Sequence, residues 1–180
     1  MMHQDVKKIL VSLDEIVKRS EELGKEIKED YESRNEIPLV VGLLKGSVPF
    51  LAELVKHIDM DIIYEFMDVS SYEGTESVGK IKVNLDLQTP VQGKPVLLVE
   101  DIIDTGRTIE EVKKLILEKG ASSVKVVSLL DKPERRVVDV KADFVGFVVP
   151  NEFVIGYGLD YNQKYRNLPF IGVLKDECYQ

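Results

Sequence analysis

Three short apolar runs constrain this chain most: Pro38 to Leu44 (PLVVGLL), Pro95 to Val99 (PVLLV) and Val124 to Leu130 (VKVVSLL). Each has the length of a strand, and the first two are apolar on both of their faces, which a strand tolerates only when it is covered on both sides, as in a parallel sheet. Helical segments lie between them. Ser12 and Glu15 form an S-x-x-E capping box, and Ile16, Val17, Leu23 and Ile27 share one face of a helix expected to reach about residue 30. Phe50, Leu51, Leu54, Val55 and Ile58 recur at helical spacing, as do Ile109, Val112, Leu115 and Ile116, with Gly120 placed as a C-cap. Asp61 to Met67, Phe144 to Val149 and Phe170 to Leu174 read as further strands, and Ile81, Val83, Leu85 and Leu87 as a half-exposed one. The alternation predicts an α/β fold, a twisted, mostly parallel sheet flanked by helices.

At 180 residues with no visible linker, the chain fits one domain. Its 24 basic residues against 32 acidic ones leave a net charge of -8, with the excess acid in the first two thirds. Nucleic-acid binders carry a basic face to neutralise phosphates, so this balance argues against that class of partner. No apolar stretch is long enough to span a bilayer and the N-terminus lacks the apolar run of a signal peptide, which makes the cytoplasm the expected location. Cys178 is the only cysteine, which excludes an intrachain disulfide, and His3 and His57 are read as surface residues.

The chemistry concentrates in VLLVEDIIDTGRT. A buried strand delivers Glu100 and Asp101 to its C-terminal edge, where open α/β sheets bind ligands. Thr105, Gly106 and Thr108 then enter a helix, whose free N–H groups can hold a phosphate, with glycine allowing close approach. Adjacent carboxylates can accept from a vicinal diol or hold hydrated Mg2+. Spacing alone leaves open a second reading, in which Asp104 or Thr105 caps the helix and the acids are solvated. Neither a Walker A loop nor a G-x-G-x-x-G turn is present. From Asp68 to Lys80 the chain is polar and too long for an ordinary connection, so it is expected to be a lid.

VLLVEDIIDTGRT resembles the 5-phosphoribosyl-1-diphosphate (PRPP) motif of the type I phosphoribosyltransferases. VGLLKGS (41–47), SSYEG (70–74), SLLDKPERR (128–136) and DFVGFVVPNEFVIGYGLDYNQKYRNL (143–168) resemble the hypoxanthine-guanine branch in the same order. That resemblance implies a core over about 36–150 and a small hood made of the N-terminal segment and about 151–180.

It also implies roles. Glu100 and Asp101 match the acids at the ribose hydroxyls and the Mg2+ shell, and Asp104 to Thr108, including Arg107, match the 5'-phosphate loop. Asp104 matches the carboxylate that acts on the purine N7 proton. Lys45 and Gly46 match the pyrophosphate loop, where the family has a non-proline cis peptide between the residues matching Leu44 and Lys45, and Arg166 matches a pyrophosphate-binding arginine. Lys132 matches the donor to the purine 6-oxo group, Phe153 the aromatic that stacks on the base, and Val154 the residue whose main chain reads the base edge. Asp160 matches a residue near a second Mg2+ and the purine 2-position, and Ser71 and Tyr72 match the closing lid.

The activity so implied is Mg2+-dependent purine salvage, converting hypoxanthine or guanine plus PRPP to the monophosphate plus pyrophosphate in a homodimer or homotetramer. A xanthine-preferring or pyrimidine transferase is the runner-up. A regulator that kept the PRPP fold and binds nucleic acid is the rival of another class, and the -8 charge counts against it.

Overall fold

Why the chain folds as it does is clearest at its first helix. The computed structural model describes residues 3–71 and 81–179. After strand β1 (Val6–Val11), Ser12 caps α1 (Leu13–Glu32): its N–H donates to Glu15 Oε2 at 2.8 Å, and both halves of the capping box are present. Ile16, Leu23 and Ile27 are fully buried as their spacing predicts, with Tyr31 extending the same face.

Strand β2 (Leu39–Leu43) is buried at every position. It leads to α2 (Val48–Leu54), whose Phe50, Leu51 and Leu54 are buried. Strands β3 (Ile63–Ser71) and β4 (Ile81–Leu85) follow, then β5 (Pro95–Ile103), α3 (Arg107–Glu118), β6 (Ser123–Asp131) and β7 (Phe144–Val148). Two short strands, β8 (Val154–Ile155) and β9 (Ile171–Leu174), complete the order.

The main sheet has the order β4-β3-β2-β5-β6-β7, parallel throughout except for the antiparallel β3–β4 pair at one edge. Successive side chains of β5 alternate between the two faces. Leu97 and Val99 join the core under α1 and α2, and Val96 and Leu98 join the core under α3. Chain direction across the sheet reverses between β2 and β5, so the C-terminal ends of these neighbours form the crevice where such sheets bind ligands.

Three expectations need adjustment. Strand β5 runs on through Glu100 and Asp101 to Ile103, so the acidic pair sits within the strand's last turns. The polar stretch begins later than its composition suggested, because Asp68 to Ser71 belong to β3 and pair with Leu85, Val83, Lys82 and Ile81 of β4. Main-chain pairing at a sheet edge needs no apolar side chains, which is why composition did not show it. Ser71 therefore ends a strand, while its side chain and Tyr72 lie outside the described residues. Strands β1 and β8 escaped the sequence reading. They flank β9 in a separate antiparallel sheet, β1-β9-β8, built from both ends of the chain. Among the described residues, no helix is long and apolar enough to cross a membrane.

Candidate active site

The two strand ends at the reversal point meet directly. After β2 the chain passes through a cis peptide between Leu44 and Lys45 and then reaches Gly46. A Cβ at Gly46 would overlap the Asp101 carboxylate of β5, so only glycine lets the two strand ends approach this closely. Lys45 is exposed on this turn.

At the end of β5, Asp101 N donates to Glu100 Oε1 at 3.1 Å and Ile102 N donates to Asp101 Oδ1 at 2.7 Å. Both residues keep some surface, yet their carboxyl groups are drawn into the fold. Burial, and then repulsion from Asp101, holds Glu100 well above the usual carboxylate range, and burial raises Asp101 as well. A pair of crowded, desolvated carboxylates favours a cation. Among the described residues no three His, Cys, Asp or Glu side chains cluster as a ready metal cage. Two carboxylates completed by water and substrate oxygens suit Mg2+, which binds in that way.

The loop after β5 turns into α3 at Gly106, the N-cap, whose φ of 86° is left-handed and therefore favours glycine. The N-cap position falls on Gly106 and not on Asp104 or Thr105, although Thr105 Oγ1 accepts from Arg107 N at the start of α3 at a long 3.5 Å. Glu100, Asp101, Asp104, Thr105, Gly106 and Thr108 line an open cavity of about 140 Å³, and Arg107 is exposed beside it.

A larger cavity of about 510 Å³ adjoins it, sharing Asp101, Ile102 and Asp104. Lys132, Phe153, Val154 and Asp160 line it, so these four residues from the last third meet three from β5 and its loop. Its size suits a small planar ligand. Lys132 is only 7% exposed and donates to Glu152 O at 2.6 Å; burial lowers its pKa from the usual lysine value. Phe153 stacks on Tyr179 at 5.0 Å and meets Tyr161 edge-on at 5.5 Å. Arg166 is outside this lining: it pairs with Asp160 at 2.9 Å and donates to Gly158 O at 2.6 Å, and its buried Nε has no partner among the described residues. Asp160 Oδ2 accepts from Gln163 N at 2.8 Å.

Residues that the sequence reading did not single out complete the lining: Ile102, Arg135, Asn151, Glu152, Leu159 and Tyr179. Arg135 had a readable signal, standing three residues after Lys132 in a Pro-started turn. Tyr179 had none, because its place depends on how the chain's last residues fold back over Phe153.

A model of the phosphoribosyl transferase domain matches residues 8–162. The chain belongs to the phosphoribosyltransferase family. It is 56% identical over 175 residues to the hypoxanthine-guanine phosphoribosyltransferase of Lactococcus lactis, covering 97% of this chain and 94% of that one. The crystal structure of a Staphylococcus aureus hypoxanthine phosphoribosyltransferase superposes with a TM-score of 0.93 at 46% identity, covering 99% of this chain and 97% of that one. A Trypanosoma cruzi hypoxanthine phosphoribosyltransferase variant, solved as a ternary substrates complex, gives 0.94 at 40% identity, covering 99% and 100%. Family membership agrees with the α/β architecture and makes phosphoribosyl transfer the activity of this chain.

Proposed function

We propose that this phosphoribosyltransferase moves the 5-phosphoribosyl group of PRPP to N9 of hypoxanthine or guanine, giving IMP or GMP and pyrophosphate. The convergence of Lys132, Phe153, Val154 and Asp160 on one cavity beside the Gly106 loop carries this reading. A base held there lies next to a phosphate held by free N–H groups at the start of α3.

The assignments follow from donor and acceptor chemistry. Lys132, a donor only, suits a 6-oxo group and rejects adenine, whose 6-amino group is itself a donor. Phe153 offers a ring face and Val154 its main chain. Asp160 is assigned to the purine 2-position, and to Mg2+ if its contact with Arg166 is exchanged on binding. Residues Asp104 to Thr108 would take the 5'-phosphate, Glu100 and Asp101 the ribose hydroxyls, and Lys45, Gly46 and Arg166 the pyrophosphate. Mg2+, held by Glu100 and Asp101, would offset the growing negative charge on pyrophosphate. As the C1–O bond to pyrophosphate breaks and the N9–C1 bond forms, the N7 proton would pass to Asp104, which stands on the cavity rim. Ser71 and Tyr72 would contribute to a lid over this centre.

In this reading the core over about 36–150 supplies the phosphate side, and the hood of the N-terminal segment and about 151–180 supplies the base side. A homodimer or homotetramer in the cytoplasm completes the proposal. The decisive measurement is kcat/KM with PRPP and Mg2+ across hypoxanthine, guanine, xanthine, adenine and uracil. Highest values for hypoxanthine and guanine are expected; a preference for xanthine or uracil would overturn the assignment of the base. Asp104→Asn should lower turnover by about 10²–10⁴-fold with little change in PRPP binding, the range for losing a general base.

A further inference from the structure

Lys132 and Arg135 lie three residues apart in the turn that follows β6. The 3-10 helix Pro133–Arg135 has Lys132 at its N-cap, and Arg135 N donates to Lys132 O at 3.0 Å. Three residues per turn place positions i and i+3 above one another. Both long side chains therefore reach the same cavity of about 510 Å³.

Four hydrogen bonds tie this segment to the end of β5 and the loop after it. Lys132 N donates to Ile103 O at 3.0 Å, Arg136 Nη1 to Asp104 O at 2.7 Å, and Val137 N to Thr105 O at 3.1 Å. Those three hold main chain. The fourth, Arg135 Nε to Asp104 Oδ1 at 2.9 Å, is the contact to the Asp104 carboxylate. Arg136 also pairs with Asp131 at the end of β6, which anchors it and leaves Arg135 as the arm that reaches the rim.

We propose that Arg135 is a positioning residue for Asp104: it holds Oδ1 so that Oδ2 faces the purine. The inference rests on the reading of Asp104 as the proton acceptor. An aspartate χ2 torsion is broad and roughly twofold, so an unpinned carboxylate spreads over many orientations. Proton transfer needs a heavy-atom approach of about 2.6–3.2 Å, which one pinned oxygen helps to define. The same turn carries Lys132, so the residue that recognises the 6-oxo group and the residue that orients the acceptor belong to one hydrogen-bonded piece. Asp104 and Arg135 side chains are 42% and 47% exposed, and an ion pair that open contributes little to folding. Its removal therefore tests position more than stability.

The test is the single-turnover rate with saturating PRPP, Mg2+ and hypoxanthine for Arg135→Ala, Arg135→Lys, Asp104→Asn and the Ala/Asn double variant. Arg135→Ala should slow the step by about 5–20-fold, as expected for a misplaced catalytic group, with KM for both substrates within about twofold. Arg135→Lys should recover much of the loss, because an ammonium can still reach Oδ1. The double variant should be no slower than Asp104→Asn alone. A wild-type rate for Arg135→Ala beside a crippled Asp104→Asn would overturn the inference and leave the role of Asp104 standing. A raised KM for PRPP at unchanged rate would make Arg135 a substrate ligand instead, and full multiplication of the two single effects would make the residues independent. A wild-type rate for Asp104→Asn would remove the acceptor role, and the positioning role with it. Should Arg135→Ala lose its thermal transition, Arg135→Met, which keeps the apolar stem, takes its place in the cycle.

Discussion

The floor and the rim of this site treat acidic side chains in opposite ways. On the floor, Glu100 and Asp101 have carboxyl groups whose charge is disfavoured by burial, and Gly46, in the turn after the neighbouring strand, leaves no room for a Cβ beside Asp101. On the rim, Asp104 is partly exposed and meets Arg135 across 2.9 Å. Desolvating a charge costs far more than an exposed ion pair returns. The floor is thus built at the expense of stability and suits a cation, while the rim costs little to build.

Each half of that contrast can be broken separately. The largest effect is expected on the floor from Gly46→Ala, whose Cβ would displace Asp101. About a hundredfold loss of kcat/KM is expected, in line with the cost of a displacement near 1 Å. Near-normal steady-state kinetics would show that the strand ends can separate without penalty.

Glu100→Gln addresses the charge itself. A carboxyl whose pKa is raised by folding favours the folded state most below its unfolded value of 4.5, and that advantage is lost as pH climbs through the raised value. In the metal-free protein, Glu100→Gln should therefore melt higher than wild type at pH 8, by roughly 2–4 °C per kcal/mol relieved. The two should converge near pH 4, and Mg2+ should raise the wild-type Tm more than the variant's. A variant that melts lower than wild type at pH 8 would refute the strain assigned to the floor.

The smallest effect belongs to the rim. Arg135→Ala should change stability by about 0.2–1 kcal/mol, the range for exposed pairs, as read by urea denaturation. A loss several times larger would mean that the rim is as structural as the floor.

How much of this was legible in the sequence varies with the range of the interaction. The capping box at Ser12 and Glu15, the buried stripe of α1 and the fully covered β2 follow from neighbours in sequence, and all three appear as read. Residues of the larger cavity are legible only through a family resemblance, and Lys132, Phe153, Val154 and Asp160 do come together with Asp101 and Asp104. Arg166 and Lys45 stand apart from that lining. The extension of β3 through Ser71 was not legible, because edge pairing is made by main chain and leaves no apolar signature.

The sequence by itself determined the alternation of strands and helices, the strand that carries Glu100 and Asp101 toward its C-terminal end, and the glycine-led entry to α3. Periodicity and main-chain freedom are properties of adjacent residues, so they can be read locally. Only the tertiary structure decided that β2 and β5 are neighbours, which sets Gly46 against Asp101, and that β1 and β9 pair across the length of the chain. It alone brought Arg135 to Asp104 and Tyr179 to Phe153. Those contacts join segments far apart in sequence, and they exist only because burying two apolar cores against one sheet draws the segments together.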